Sequence, residues 1–412
     1  MKKEITSQGT TSAPVSIRLH YLDWLRVIAI LMVFLFHAVH VFDQGGWHIK
    51  NAEQSEILTI AIILIGLWGM PFFFMVAGSA SWFALQRRTP RQYAVERVKR
   101  LLIPYLVGTL LFSPLQYYLW WMNTVQVRGQ TWTFQEFLAF ELPRFNPLLL
   151  RAPGFSPIWM GVGMHLWFVG FLFAFAMVTL PLFRWLKGEA GQRLIGRAAR
   201  LCARRGGVFI FVVPLVLLQV CIRPFAPLEH DWADFLYQMA FFILGFILYA
   251  HKGITQAVRR DGWLIFGVGT AIVAVLLGMY LADLPVIEWG EDPSVLQYYG
   301  IQALVGFVAL SYTLTLLSFG MRFLDFTNRW LRYAQENVLP FFVVHQPVIV
   351  GIAYFVVQWD LGILPKLLIV VAASFAVAIG LTELIRRVGV LRFMFGLKTG
   401  QPARLKAATD SR

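Results

Sequence analysis

Long apolar runs separated by short polar segments dominate this chain of 412 residues. About 20 apolar residues in a helix span the hydrocarbon core of a bilayer, and ten runs approach or exceed that length. They cover about 22–42, 57–85, 101–122, 161–185, 207–222, 234–251, 262–282, 298–319, 336–357 and 363–386. The pattern predicts an all-α integral membrane protein, a bundle of about ten transmembrane helices.

The basic residues between these runs predict the orientation of the bundle. Of the 36 lysines and arginines, 29 fall in the two tails and in alternate connecting segments, six fall in the other segments, and Arg26 lies inside the first run. Basic segments stay in the cytoplasm, so both termini are expected there. We therefore expect a cytoplasmic tail over 1–21, a membrane domain over 22–386 and a basic cytoplasmic tail over 387–412. The first residues carry no apolar core of a cleaved signal peptide, so the first helix is expected to be an uncleaved anchor.

Composition agrees with a membrane protein, since 58% of residues are hydrophobic and only 14% are charged. The net charge of +14 could suggest nucleic-acid binding, but the charge is confined to particular loops, which argues against that class of partner. Cys202 and Cys221 are expected on opposite sides of the membrane, where they could not form a disulfide. The longest outer segment, about 123–160, is rich in proline and aromatic residues, and long loops are often functional.

Two polar residues interrupt the first apolar run. Arg26 and His37 are eleven positions apart, which in an α-helix gives a rise of about 16–17 Å and a rotation of only about 20°. They therefore share one helix face. Arg26 could be a snorkelling arginine next to Asp23, and His37 could be satisfied by a neighbouring helix. Alternatively, His37 is a general base in an intramembrane crevice, because histidine titrates near neutrality.

Arg97 and Arg100 form an RxxR pattern at the start of the third run, followed by Pro104. Residues three apart share a helix face, so the two guanidinium groups could bind phosphates together. Binding to anionic lipid headgroups is the alternative explanation.

Several aromatic and polar residues gather at the predicted outer side. Trp47 and His48 follow the first helix, with His40 just before them, and His165 and Trp167 open the fourth helix. Tryptophans at that level usually form an interfacial belt, but next to histidines they could also bind a sugar ring.

Two further residues lie in apolar runs. His345 precedes Gln346 and Pro347 in the ninth run, where the proline frees a backbone carbonyl that polar neighbours can satisfy. His345 could serve packing or chemistry. Ser79 in the AGSAS run is interpreted as a small residue for close helix packing. No metal-binding pattern appears.

Together these motifs resemble the acyltransferase type 3 family of membrane O-acyltransferases. YLDWLRVIAILMVFLFH is similar to the arginine–ten residues–histidine signature of the family, RVKR with LLIPY is similar to its RxxR segment, and MPFFFMVAGSASWFAL is similar to its second helix. HLWF, the WH after the first helix and VLPFFVVHQP resemble the periplasmic glucan succinyltransferase branch.

The resemblance implies a bacterial inner-membrane enzyme that moves an acyl group from cytoplasmic acyl-CoA, a co-substrate and not a resident cofactor, to a hydroxyl of an extracytoplasmic glycan. It implies catalytic roles for His37 and Arg26, and donor binding by Arg26, Arg97 and Arg100. Trp47, His48, His165, Trp167 and His345 would then bind the acceptor. The alternatives are a proton-coupled exporter of a lipid-linked or acylated solute, which would not need phosphate-binding arginines, and a non-catalytic scaffold, which would not explain the shared face of Arg26 and His37.

Overall fold

The computed structural model describes residues 19–126, 133–136, 164–226, 230–282 and 296–398. Within these ranges the chain is helical and contains no β-strand, which confirms the all-α prediction. Most of the predicted outer segment 123–160, and the acidic residues between 283 and 295, lie outside the described residues.

Sixteen α-helices occur in the described ranges. Their bounds are α1 His20–Val39, α2 Glu56–Gly66, α3 Gly69–Arg87, α4 Pro90–Arg97, α5 Ile103–Gln126, α6 Phe134–Glu136, α7 Trp167–Val178, α8 Leu180–Lys187, α9 Glu189–Cys202, α10 Val212–Cys221, α11 Trp232–Ala250, α12 Lys252–Leu281, α13 Leu296–Phe323, α14 Arg329–Val356, α15 Ile363–Arg387 and α16 Gly389–Met394.

Nine helical segments of the described chain are long and apolar enough to cross a membrane, and a tenth results if α7 and α8 count as one bent span. The axes of α7 and α8 differ by 49°. Pro181 explains the bend, because it lacks the N–H that would continue the helical ladder. The predicted fourth run therefore exists as a broken helix, and the prediction of about ten spans holds in this form.

Proline also shapes the predicted second run. The run is interrupted at Leu67 and Trp68, where α2 ends and α3 begins. Pro71 occupies the first turn of α3, a position that needs no N–H donor inside the helix. The ninth run differs at its start, because α14 begins at Arg329, where the Asn328 side chain accepts a hydrogen bond of 2.8 Å from the Leu331 amide.

The bundle has two chemically different ends. We call the end where α1 begins the basic end; there the Trp24 indole donates to the Phe326 carbonyl just before α14 at 3.0 Å. Helices α1, α5 and α14 all run from the basic end toward the opposite end, which we call the histidine end. The assignment of the basic end to the cytoplasm stays a prediction from charge.

Helices α3 and α11 cross with their backbones in close contact. A Cβ at Gly78 would lie 1.9 Å from the Phe242 carbonyl oxygen, and one at Gly245 would lie 2.0 Å from the Met75 carbonyl oxygen. The neighbouring Ser79 hydroxyl donates to the Met75 carbonyl within its own helix at 2.9 Å. The AGSAS run therefore allows two helix backbones to touch, as the packing interpretation of Ser79 predicts.

Candidate active site

Helix α1 carries both polar residues that the sequence singled out. Arg26 lies near its start, with its Nη1 3.5 Å from the Asp23 carboxylate, and remains about one-third exposed. His37 lies near its end, is half-buried, and its Nδ1 has no hydrogen-bond partner among the described residues. The two are therefore separated along the helix as predicted, one at each end of the bundle.

The segment after α1 folds back over the histidine end. The Asn51 amide donates to the Val41 carbonyl at 2.9 Å, and the Ser55 amide donates to the Phe42 carbonyl at 2.8 Å. Burial at 1% exposure disfavours the charged form of Asp43, but the neighbouring Lys50 ammonium and His40 ring outweigh it, and the pKa of Asp43 is lowered. This network fixes the segment that carries Trp47 and His48.

The Asp43 network also orients His40. Lys50 Nζ donates to the Asp43 carboxylate and, at 2.7 Å, to the His40 carbonyl. His40 Nδ1 lies 2.9 Å from Asp43 Oδ2, an ion-pair distance whose angle departs from that of a linear hydrogen bond. His40 therefore lies beside the ion pair of Asp43 and Lys50.

Trp47 lies against two histidine rings of α1. Its indole stacks with His37 at a centroid separation of 6.0 Å and an interplanar angle of 17°, and with His40 at 6.0 Å and 4°. His48 contacts the same indole at 5.3 Å. The loop thus closes over His37 with an aromatic plane, the kind of surface that binds sugar rings.

Helix α14 brings His345 to the site. The His345 ring lies 5.4 Å from the His37 ring and 5.2 Å from the His165 ring. Three segments far apart in the chain therefore meet, and we call His37, His165 and His345 the histidine cluster. Both His165 and His345 are buried.

Gln346 extends this site toward the loop. Its Nε2 lies 3.1 Å from His48 Nε2 and 3.0 Å from Gln116 Oε1 of α5, so one amide donates to two acceptors. Burial lowers the pKa of His48 to about 4, so His48 is neutral near pH 7, as this contact requires. Gln346 and Gln116 were not assigned a role from sequence, although a glutamine inside each apolar run was a visible signal.

Trp167 lies beside the cluster without joining it. Its ring contacts His230 at 4.3 Å and packs edge-to-face on Phe171 at 5.1 Å. Of the five residues predicted to bind the acceptor, Trp47, His48, His165 and His345 gather around His37, whereas Trp167 contacts His230 and Phe171.

The RxxR segment lies at the basic end and is not a regular α-helix. Residues Val98–Leu102 form a π-helix, which rotates Arg97 and Arg100 away from the shared face expected of an α-helix. The Arg97 guanidinium stacks over Tyr93 at 4.6 Å, and its buried Nε has no hydrogen-bond partner among the described residues. Arg100 pairs with Glu96 at 3.6 Å.

A cavity of about 860 Å³ opens beside Arg100. Four cationic side chains line it: Arg91, Lys99, Arg100 and Lys398. Glu96 is the acidic residue of the lining. Arg97 is not part of this lining. The cavity is wide enough for a ligand larger than a single phosphate, and its charge favours an anion.

The segment after α16 supplies the second wall of this cavity. Gly396 has φ +72°, and a Cβ there would lie 2.8 Å from the Leu339 side chain and 3.1 Å from the Arg100 carbonyl oxygen. The Arg392 guanidinium donates to the Lys398 carbonyl at 2.7 Å. This wall was not predicted, since the sequence marked residues 387–412 only as a basic tail.

The arrangement combines a cationic cavity at the basic end with a cluster of imidazoles at the histidine end. Imidazoles can accept and release protons, and cationic cavities bind phosphates. The fold and these two sites define a membrane protein with the features of a group-transfer enzyme.

Comparison with known proteins agrees with this class. The chain belongs to the acyltransferase type 3 family, because the acyltransferase domain of that family matches residues 19–383. It is 22% identical over 396 residues to the glucans biosynthesis protein C of Salmonella paratyphi A (strain ATCC 9150 / SARB42), of Salmonella agona (strain SL483) and of Salmonella schwarzengrund (strain CVM19633). Each match covers 92% of this chain and 95% of the relative. No solved structure matches the chain.

Proposed function

We propose that this chain is an O-acyltransferase of the bacterial inner membrane. It moves an acyl group from acyl-CoA in the cytoplasm to a hydroxyl of a glycan on the extracytoplasmic side of the membrane. The observation that carries the proposal is the position of His37. It lies in the histidine cluster at one end of α1, while the basic cavity lies at the end where α1 begins.

The donor would bind with its phosphates in the cavity lined by Arg91, Lys99, Arg100 and Lys398. Phosphate groups pair with several cations at once, and four cationic side chains in one cavity fit such a ligand better than a single charged group. The 29 basic residues of the predicted cytoplasmic segments support a cytoplasmic donor and cytoplasmic termini. Arg26, near the start of α1, would orient the thioester arm.

The acceptor would enter from the histidine end. His37 takes the proton of the acceptor hydroxyl, and the oxygen attacks the thioester carbonyl carbon. A carbon–oxygen bond forms, the carbon–sulfur bond breaks, and the CoA thiolate leaves and receives the proton from His37. Trp47 would stack on the sugar ring, with His48, His165 and His345 binding its polar groups. The relatives named for glucan biosynthesis support a glycan as acceptor.

A matched pair of variants on one helix tests the role of His37. His37→Gln should reduce acyl transfer by at least 100-fold, because removal of a general base typically costs 10²–10⁴-fold. His20→Gln, at the start of α1, should transfer at the wild-type rate. Transfer is measured with purified protein in nanodiscs as free CoA thiol released from acetyl-, succinyl- and longer acyl-CoAs in the presence of glucose oligosaccharides. Wild-type rates in His37→Gln would contradict the proposal.

The donor site has its own test. Arg100→Ala should raise the acyl-CoA concentration needed for half-maximal thermal stabilisation, because ligand binding stabilises the folded state in proportion to the logarithm of occupancy. Arg193→Ala, an exposed arginine of α9 outside the cavity, is the control. A transporter would show no thermal shift with any acyl-CoA, and that result would favour the exporter alternative.

A further inference from the structure

Pro347 frees one carbonyl in the middle of α14. In a regular helix the amide of residue 347 would donate to the Val343 carbonyl, but proline has no N–H. His165 Nε2 lies 3.1 Å from the Val343 oxygen and takes the place of the missing donor. A proline on one helix therefore holds a histidine of another segment.

This contact fixes the tautomer of His165. A carbonyl oxygen only accepts, so His165 must carry its proton on Nε2. His345 is fixed in the opposite sense, since its Nδ1 lies 2.6 Å from the Phe342 carbonyl and must carry the proton. No carboxylate forms an ion pair with either ring among the described residues, and a buried site accommodates the neutral ring more readily than an unpaired cation.

The other nitrogen of each ring is then unprotonated and can accept a hydrogen bond. His165 Nδ1 and His345 Nε2 are both buried and have no hydrogen-bond partner among the described residues. The side chains are 5% and 1% exposed, and their ring centroids are 5.2 Å apart. Among the described residues, no group of three or more His, Cys, Asp or Glu side chains has the geometry to hold a metal ion. Buried acceptors without donors are rare in proteins, and a ligand that donates would satisfy both nitrogens.

We propose that His165 Nδ1 and His345 Nε2 form a two-acceptor site for the hydroxyl groups of a neutral polyol, the sugar unit of the acceptor. The proposal rests on the proposed function and specifies its acceptor. Hydroxyl groups donate to both lone pairs, whereas a carboxylate or phosphate offers only further lone pairs and is disfavoured. Pro347 is a positioning residue, because it acts through His165.

The first test reads the tautomers directly. In protein with ¹⁵N-labelled histidine, the ¹⁵N shifts of His165 should show a proton on Nε2, and those of His345 a proton on Nδ1. Laminaritriose should change the shifts of the two unprotonated nitrogens, whereas succinate should not. These measurements require no turnover, so they separate this proposal from acyl transfer. The opposite tautomers, or equal responses to laminaritriose and succinate, would overturn it.

The second test uses the two prolines of α14. Pro347→Ala restores an amide that competes for the Val343 carbonyl, so His165 should populate both tautomers. The KM for the acceptor should rise about tenfold, as for the loss of one good hydrogen bond, while the KM for acyl-CoA stays unchanged. Pro340→Ala, about two turns earlier in the same helix, should change neither the tautomer of His165 nor the KM for the acceptor. An unchanged acceptor KM in Pro347→Ala would overturn the positioning role.

A second pair of variants keeps the proposal testable if Pro347→Ala does not fold. His345→Leu removes the acceptor nitrogen, whereas His345→Asn keeps a polar acceptor of smaller reach. The acceptor KM should rise at least tenfold in His345→Leu and less in His345→Asn, again with an unchanged KM for acyl-CoA. Equal effects of the two variants would show that the ring only fills space and would refute the acceptor role.

Discussion

Gly245→Ala should destabilise the bundle by forcing α11 away from α3. The new Cβ would lie 2.0 Å from the Met75 carbonyl oxygen, whereas ordinary van der Waals contact begins near 3.4 Å, so the backbones must separate by about 1.4 Å. Overpacking of this kind costs about 1–3 kcal/mol, and occasionally more. Replacing glycine by alanine in a helix gains about 1 kcal/mol in propensity. Since the obstacle is backbone and cannot rotate away, the overpacking cost should lie at the upper end of this range, which leaves a net loss of about 2 kcal/mol.

Gly267→Ala is the matched control, because nothing lies within 4 Å of a Cβ at that position of α12. It should unfold at the same or a slightly higher midpoint than the wild type. The assay is the unfolding of both variants in one mild detergent, by temperature and by titration with SDS. Equal midpoints for Gly245→Ala and Gly267→Ala would refute the close-packing argument.

The double variant sharpens the test. Gly78 faces the Phe242 carbonyl at the same crossing, at 1.9 Å from its ideal Cβ. Once one alanine has separated the helices, the second meets less resistance, so Gly78→Ala with Gly245→Ala should cost less than the sum of the single variants. Additive costs would mean that each site relaxes locally and that the helix pair does not move as a unit.

Three further predictions concern the segment that closes the histidine end. The pKa of His48 falls to about 4 on folding, so the unfolded chain binds more protons than the folded chain between about pH 6.5 and pH 4. The free energy of unfolding should therefore fall by about 2–3 kcal/mol as the pH is lowered across that window. His48→Gln should remove this pH dependence in unfolding titrations. Asp43→Asn leaves the Lys50 ammonium without its carboxylate and should cost about 3 kcal/mol at pH 7, where a value near zero would show that the pair is dispensable. Lys366→Met removes the bond of 2.9 Å to Asn51 Oδ1 and should cost about 1–3 kcal/mol and speed proteolysis of the segment after α1, whereas unchanged proteolysis would contradict its anchoring role.

Part of the candidate site could be read from local sequence. The separation of Arg26 and His37 along one helix follows from their spacing, because helix geometry converts sequence distance into rise and rotation. The carbonyl freed by Pro347 was expected for the same reason, since a proline removes a donor wherever it stands in a helix. The identity of the partner, His165, was not, because it lies 178 residues away in the chain.

The basic end also combines features that the sequence predicted with features that depend on packing. Sequence marked Arg97 and Arg100 as a pair, but the π-helix over Val98–Leu102 separates their roles, and a change of helix type depends on packing that no spacing rule contains. The tail residue Lys398 joins the cavity only because the chain turns back at Gly396.

By itself the sequence determined that this is a helical membrane protein with about ten apolar segments and strongly asymmetric charge, because solvation by lipid acts on each segment separately. Tertiary structure alone decided which polar residues meet. His37, His165 and His345 converge because α1 packs against α14, and because the turn before α7 that carries His165 contacts the Val343 carbonyl of α14. That packing depends on the shapes of many side chains at once.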